Sequence, residues 1–187
     1  MSKRSIYIIG FITLILFPIP AYLYWFWQEG ITLKEFIRWE EIWKAETVFG
    51  MVFGVIYAFF ALLFMGAPVF RKMPNRVENL VRRMNINIFE AVFLSICAGV
   101  GEELLFRAGL QQLFGVWITS ILFVAIHGYL NPFNWRMSLY GLLVLPFILL
   151  ISFGYNTFGL WFSIGAHFSY DLILFLTILN EKDKFIE

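Results

Sequence analysis

Charge is scarce in this chain of 187 residues: Asp, Glu, Lys and Arg make up 14% of it, while 60% is hydrophobic. Soluble domains carry about 25% charged and about 45–50% apolar residues. An apolar excess of this size cannot be hidden inside one small globule, but it suits a lipid solvent. The net charge of +1 gives no reason to expect a nucleic-acid partner. Cysteine is nearly absent. Cys97 is alone, which excludes an internal disulfide and a zinc ribbon. Within its apolar run it reads as packing rather than as a nucleophile. No H-E-x-x-H is present, so the helix of the usual zinc peptidases is missing. No G-x-S-x-G surrounds a serine, Ser163 standing in Trp161-Phe162-Ser163-Ile164-Gly165. A membrane pair of aspartates is also lacking, since Asp171 alone lies in an apolar run. There is no internal repeat, low-complexity tract or second domain, and the length allows one domain.

Long apolar runs, in contrast, are plentiful. A membrane helix needs about 20 such residues. Candidate spans run roughly from Ile6 to Trp27, Val48 to Phe70, Ile88 to Phe114, Val116 to Leu130, Met137 to Phe153 and Phe158 to Asn180. The first is too long for a signal peptide and ends in the aromatic cluster Tyr22, Tyr24, Trp25 and Trp27, with no small-x-small cleavage site after it. The predicted fold is all-α: a polytopic transmembrane helix bundle of about six spans. Residues 1–187 form a single integral membrane domain. Two N-terminal spans with interfacial and basic segments occupy 1–87, and a four-helix core occupies 88–180.

Charges between the spans set an orientation. Residues 71–87 hold Arg71, Lys72, Arg76, Arg82 and Arg83 against Glu78. Residues 28–46 hold Lys34, Arg38 and Lys44 against Glu29, Glu35, Glu40, Glu41 and Glu46. By the positive-inside rule the first segment is cytoplasmic and the second external. Lys3, Arg4, Arg136, Lys182 and Lys184 then fall inside, with both termini cytoplasmic. Leu33, Phe36, Ile37, Trp39 and Trp43 suggest a helix lying in the interface, or more simply an amphipathic connector.

Ionisable groups inside lipid cost roughly 2.5–3.5 kcal/mol each and are functional candidates by default. Here they are Glu90, Glu102, Glu103, Arg107, His127, His167 and Asp171, and these two histidines are the only ones in the chain. Glu103 and Arg107 are four apart with the acid first, so they share a helix face and can pair. Glu102 lies about 100° around the helix. Its same-face neighbours Cys97, Ala98, Gly99 and Phe106 cannot neutralise it, so it must find a partner on another helix or stay protonated. His167 and Asp171 are also four apart, with Ser163 one turn earlier. The acid could fix the tautomer of the imidazole, or the pair could be an interhelical clamp. His127 has no polar side-chain partner on its own helix.

Depth links three of these residues. With turns near Gly115 and Asn156, Glu102 and His127 lie roughly 18–20 Å below the external turn, and His167 roughly 16–17 Å below its own. The third span is long for one crossing, and Gly99 and Gly101 point to a kink or a close helix contact. A buried glutamate, two histidines and an acid can activate water and stabilise an oxyanion.

Three motifs carry a resemblance. Glu102-Glu103-Leu104-Leu105-Phe106-Arg107 reads E-E-x-x-x-R, Phe123 to His127 reads F-x-x-x-H, and His167 to Asp171 reads H-x-x-x-D. In this order, each on its own span, they resemble the CAAX prenyl protease and bacteriocin-processing peptidases, also called the Abi family. The resemblance covers roughly residues 88 to 180. It implies a membrane endopeptidase in which Glu102 and His127 activate water, His167 and Asp171 form the oxyanion pocket, and Glu103 and Arg107 support the site. The implied substrates are prenylated C-termini or leader and bacteriocin-type peptides, and the small size suggests a prokaryotic cell membrane. Ala108 stands where a glycine often follows the arginine. Asp171 replaces the asparagine of the prenyl proteases, and an ionised aspartate cannot donate to an oxyanion. Glu102, His127 and His167 could also ligate a divalent metal such as zinc with an open water position; the metal-free route is preferred. The expected partners are a peptide or lipidated protein and membrane lipids, with the oligomeric state open. Two competing readings are a non-catalytic immunity or scaffolding protein and a proton-coupled transporter. The transporter lacks the expected paired broken helices.

Overall fold

The computed structural model describes residues 3–66, 86–131, 133 and 135–183. The basic segment expected in the cytoplasm, 71–83, lies outside them, as does Lys184. Among the described residues there are helices and no strand. We number the helices α1 (Lys3–Glu29), α2 (Leu33–Ile37), α3 (Ala45–Met65), α4 (Ile88–Leu105), α5 (Gln111–Ile126), α6 (Trp135–Phe158) and α7 (Leu160–Asp183). A π turn at Ile12–Leu16 interrupts α1, and a second, Phe106–Leu110, joins α4 to α5.

Among the described residues, five stretches are long and apolar enough to cross a membrane, and one of them, Ile88–Ile126, has 39 residues. As a straight rod it would measure about 58 Å, nearly twice the roughly 30 Å of a hydrocarbon core. It is not straight. Gly115 takes φ 75° and ψ 172°, outside any helix, and the chain reverses there. Glu102 and His127 come within 3.5 Å of one another, whereas a continuous helix would hold them about 37 Å apart. The stretch therefore folds back on itself as α4 and α5, with the turn at the expected glycine. The other expected turn is displaced: α6 runs on through Asn156 to Phe158, and the chain turns at Gly159, φ 89°.

Helices in lipid gain nothing from burying leucine against leucine, so small residues that admit close backbone approach hold them together. On α3 the buried stripe is Thr47, Gly50, Gly54, Ala58 and Ala61. A side chain at Gly50 would collide with the carbonyl of Phe162, and one at Gly54 with that of Ala166, both on α7. Ser169 adds a hydrogen bond to the Met51 carbonyl at 2.8 Å. The helix α4 is clasped from two sides. Gly99 faces the α7 backbone at Ile164 and Phe168, and Gly101 faces the carbonyl of Thr13 in the first π turn. These glycines thus serve contact, and α4 is unbroken through them. Trp25 donates to the Ala108 carbonyl at 2.7 Å, fixing α1 to the second π turn. The outer faces stay apolar, as at Ile15, Phe59 and Leu63, which suits contact with lipid.

Several candidates from the sequence resolve into architecture. Glu90 closes a capping box with Asn87 at the start of α4 and pairs with Lys3. Cys97 is buried against α1 near Gly10. Ser163 donates to the Leu160 carbonyl at 2.8 Å. The 28–46 segment forms α2 and a short 3-10 turn, Trp39–Glu41. Thr32 caps α2, its amide and hydroxyl both donating to Glu35 and holding that carboxyl below its ordinary range. Phe36 is buried while Trp39 and Trp43 are exposed, the division expected of an interfacial segment.

Candidate active site

Glu102 and Glu103 sit at the inner end of α4, just before the π turn. Adjacent residues of one helix point about 100° apart, and here the two carboxylates meet different surroundings. Glu103 is fully buried. Its Oε2 accepts from Arg107 Nε at 3.0 Å, and its Oε1 accepts from His167 Nδ1 at 2.8 Å. Arg107, also fully buried, lies over the Phe123 ring with its guanidinium carbon 5.7 Å from the centroid. The expected Glu103–Arg107 pair is present, and it includes His167 as a third member.

Glu102 meets the other histidine. Its Oε2 is 3.5 Å from His127 Nε2 and 4.0 Å from His167 Nε2. Both partners belong to other helices, the first of the two outcomes left open by the lack of a same-face partner. Asp171 Oδ2 stands 3.5 Å from His167 Nε2. Asp171 thus lies beside the outward nitrogen of the imidazole, and the acid that grips the inward nitrogen is Glu103. The sequence offered that orienting role to Asp171 as one reading beside an interhelical clamp, since only its helical spacing was visible; Glu103 reaches His167 across the α4–α7 contact.

His127 ends α5. Its Nδ1 lies 2.7 Å from the carbonyl of Phe123. A carbonyl only accepts, so Nδ1 carries the proton and the neutral ring presents a bare Nε2 to Glu102. The Phe123 carbonyl also accepts the His127 backbone amide at 3.3 Å, so it takes both the amide and the ring of the residue one turn on. Phe123 stacks on His127 at 4.3 Å and meets His167 edge-on at 5.8 Å, so the phenylalanine of the second motif seats both imidazoles. Tyr129, which sequence reasoning passed over, stacks beyond His127 at 5.9 Å. Its position just past the helix end, two residues from the histidine, was the available cue.

Exposure gives the cluster a direction. The side chains of Glu103 and Arg107 are 0% exposed, that of Glu102 is 14%, Asp171 24% and His127 29%. A dry ion network thus backs a cleft that opens past His127 and Asp171. It opens because α5 is short: the residues from Val116 to Ile126 span only about 17 Å. His127 and Gly128, φ 75°, end the helix before it crosses.

For a metal, two imidazole nitrogens and a carboxylate are suitable donors, and the Nδ1 contacts to Glu103 and to a backbone carbonyl are the outer-shell bonds such histidines use. As arranged, however, no group of three His, Cys, Asp or Glu side chains among the described residues is set to hold a metal ion.

Residues 84–173 match the family described as Type II CAAX prenyl endopeptidase Rce1-like. The matched stretch begins ahead of α4 and closes just past Asp171, so all three motifs fall within it. No curated protein and no solved structure gave a match. With the motif residues of that segment gathered inside a helical bundle whose long apolar helices suit a membrane, residues 84–173 of this chain are similar to the CAAX prenyl endopeptidase family.

Proposed function

We propose that this protein cleaves peptide bonds of membrane-associated substrates with water activated by Glu102 and His127. The observation that carries the reading is the meeting of Glu102 Oε2 and a bare His127 Nε2 at 3.5 Å in a half-open cleft. Two acceptors face one another there, and a water molecule has the two protons such a pair can receive. Glu102 removes one proton as the water oxygen bonds to the carbonyl carbon. The C–N bond then breaks, and the proton held on Glu102 passes to the leaving nitrogen, giving an acid and an amine.

His167 serves the oxyanion. Glu103 holds its Nδ1, which aims Nε2 at the cleft, and as the imidazolium it donates from Nε2 to the developing negative charge. Asp171 beside that nitrogen positions and balances it, a role open to an ionised aspartate. Arg107 supports Glu103 from the dry side. No step of this reading passes through a metal. Both termini are cytoplasmic on the charge pattern, and the cleft faces that side. The substrates this reading assigns are C-terminal peptides of lipidated proteins or leader peptides of a prokaryotic membrane.

The test is to purify wild type and Glu102→Gln in detergent and incubate each with prenylated and leader-type peptides, with and without a chelator. Cleavage by wild type alone, insensitive to the chelator, is expected. Equal cleavage by both proteins removes Glu102 from the chemistry. Chelator-sensitive cleavage restored by zinc would make Glu102, His127 and His167 ligands instead. Cleavage of no peptide in the panel favours the non-catalytic immunity or scaffolding reading.

A further inference from the structure

At the end of the bundle far from Glu102, where α6 turns into α7 at Gly159, a cavity of roughly 250 Å³ opens among Arg38, Glu41, Lys44, Glu46, Tyr155 and Trp161. His167 lies eight residues further along α7, about 12 Å away along the helix, so this cavity is separate from the cleft. It is lined by two cations and two carboxylates. Lys44 pairs with Glu41 at 3.3 Å. Arg38 has no carboxylate partner among the described residues, and its guanidinium carbon stands 5.9 Å from the centre of the Tyr155 ring.

The backbone of Arg38 is unusual. It takes φ 53° and ψ 47°, and every other described residue with positive φ is a glycine: Gly30, Gly115, Gly128 and Gly159. Glycine adopts this conformation without strain, whereas a side chain there opposes it. Strain of this kind is retained where the side chain has a task. Trp161 fixes the strained turn, donating from Nε1 to the carbonyls of Ile37 and Arg38 at 3.0 and 2.9 Å. The guanidinium is thereby aimed at the cavity by a rigid frame.

The surroundings identify the ligand class. Trp39 and Trp43, exposed beside the cavity, mark the level of lipid headgroups. Beside the rim, Phe49 and Phe158 meet edge to face at 5.1 Å and both remain exposed, an apolar wall suited to acyl chains. We propose that this cavity binds the headgroup of a zwitterionic phospholipid. Its phosphate would lie on Arg38 and Lys44, its primary ammonium on Glu41 and Glu46, and its chains against Phe49 and Phe158. Arginine's planar fork suits a phosphate, and N–H donors suit carboxylates better than a quaternary ammonium does. The balanced charge of the lining argues against a preference for anionic lipids. The assignment stands independently of the proteolytic reading.

Thermal unfolding of the delipidated protein in detergent tests it, with phosphatidylethanolamine, phosphatidylglycerol or soluble glycerophosphoethanolamine added in turn. Phosphatidylethanolamine should raise the midpoint by about 5 °C at saturation, and phosphatidylglycerol and the soluble headgroup by much less. Arg38→Gly keeps the turn while removing the guanidinium, so it should fold and lose that shift; Glu102→Gln should keep it. An equal response to both lipids, or an undiminished shift in Arg38→Gly, overturns the proposal. An equal response to the soluble headgroup reassigns the cavity to a free phosphoester.

Discussion

The two sides of the charged cluster, separated by one residue of α4, obey different rules. On the dry side, Glu103, Arg107 and the inward nitrogen of His167 are closed off from solvent: Glu103 accepts from Arg107 Nε and His167 Nδ1, while Arg107 Nη1 and Nη2 stay buried without a hydrogen-bond partner among the described residues. On the open side, Glu102 Oε2 stands 3.5 Å from His127 Nε2 and 4.0 Å from His167 Nε2, and Asp171 Oδ2 stands 3.5 Å from that same outward nitrogen, separations at or beyond the limit of a direct hydrogen bond. Closure makes the first side a support whose loss costs folding. Spacing makes the second a place that can admit a reactant. If the division is right, substitutions on the two sides should fail in different assays.

Glu102→Gln should produce the largest effect: cleavage falls about 1000-fold, within the range of a lost general base, while the unfolding midpoint stays that of wild type. A variant that unfolds early instead would move Glu102 to the supporting side. Glu103→Gln should do the reverse first. It leaves Arg107 buried without a counter-charge, a loss of about 3–5 kcal/mol, read as a lower midpoint in the same detergent. Some activity loss follows through the released His167. Phe123→Leu joins the two sides, since that ring touches both histidines and Arg107. It should cost about 0.5–1.5 kcal/mol of stability and raise KM less than it lowers kcat, because two imidazoles lose their seat. Cys97→Ala, remote from both sides, should leave cleavage within about twofold of wild type; a larger loss would reopen the cysteine as a participant.

Much of this was legible in the residues themselves. The reversal at Gly115 followed from spans too long to be one, and the Glu103–Arg107 pair followed from a spacing of four. The convergence of Glu102, His127 and His167 followed from counting residues from the turns, although the second count started too early, at Asn156 rather than Gly159. What escaped was set between helices. Whether Glu103 or Asp171 grips His167 Nδ1 depends on how α7 is rotated against α4, and that rotation is fixed by the contact at Gly99. Periodicity within one helix does not contain it. The π turns escaped for a related reason: they adjust the register of a helix to its neighbours, and no local residue pattern demands them.

The shortness of α5 bears on how the protein is made. A segment of about 17 Å cannot cross a bilayer by itself, and it ends on a histidine. It can enter only as the second arm of a hairpin, paired with α4 through the turn at Gly115. The same event that carries this arm into the membrane brings His127 opposite Glu102. Assembly of that half of the site is then coupled to insertion, and α7 completes it when His167 arrives last in chain order.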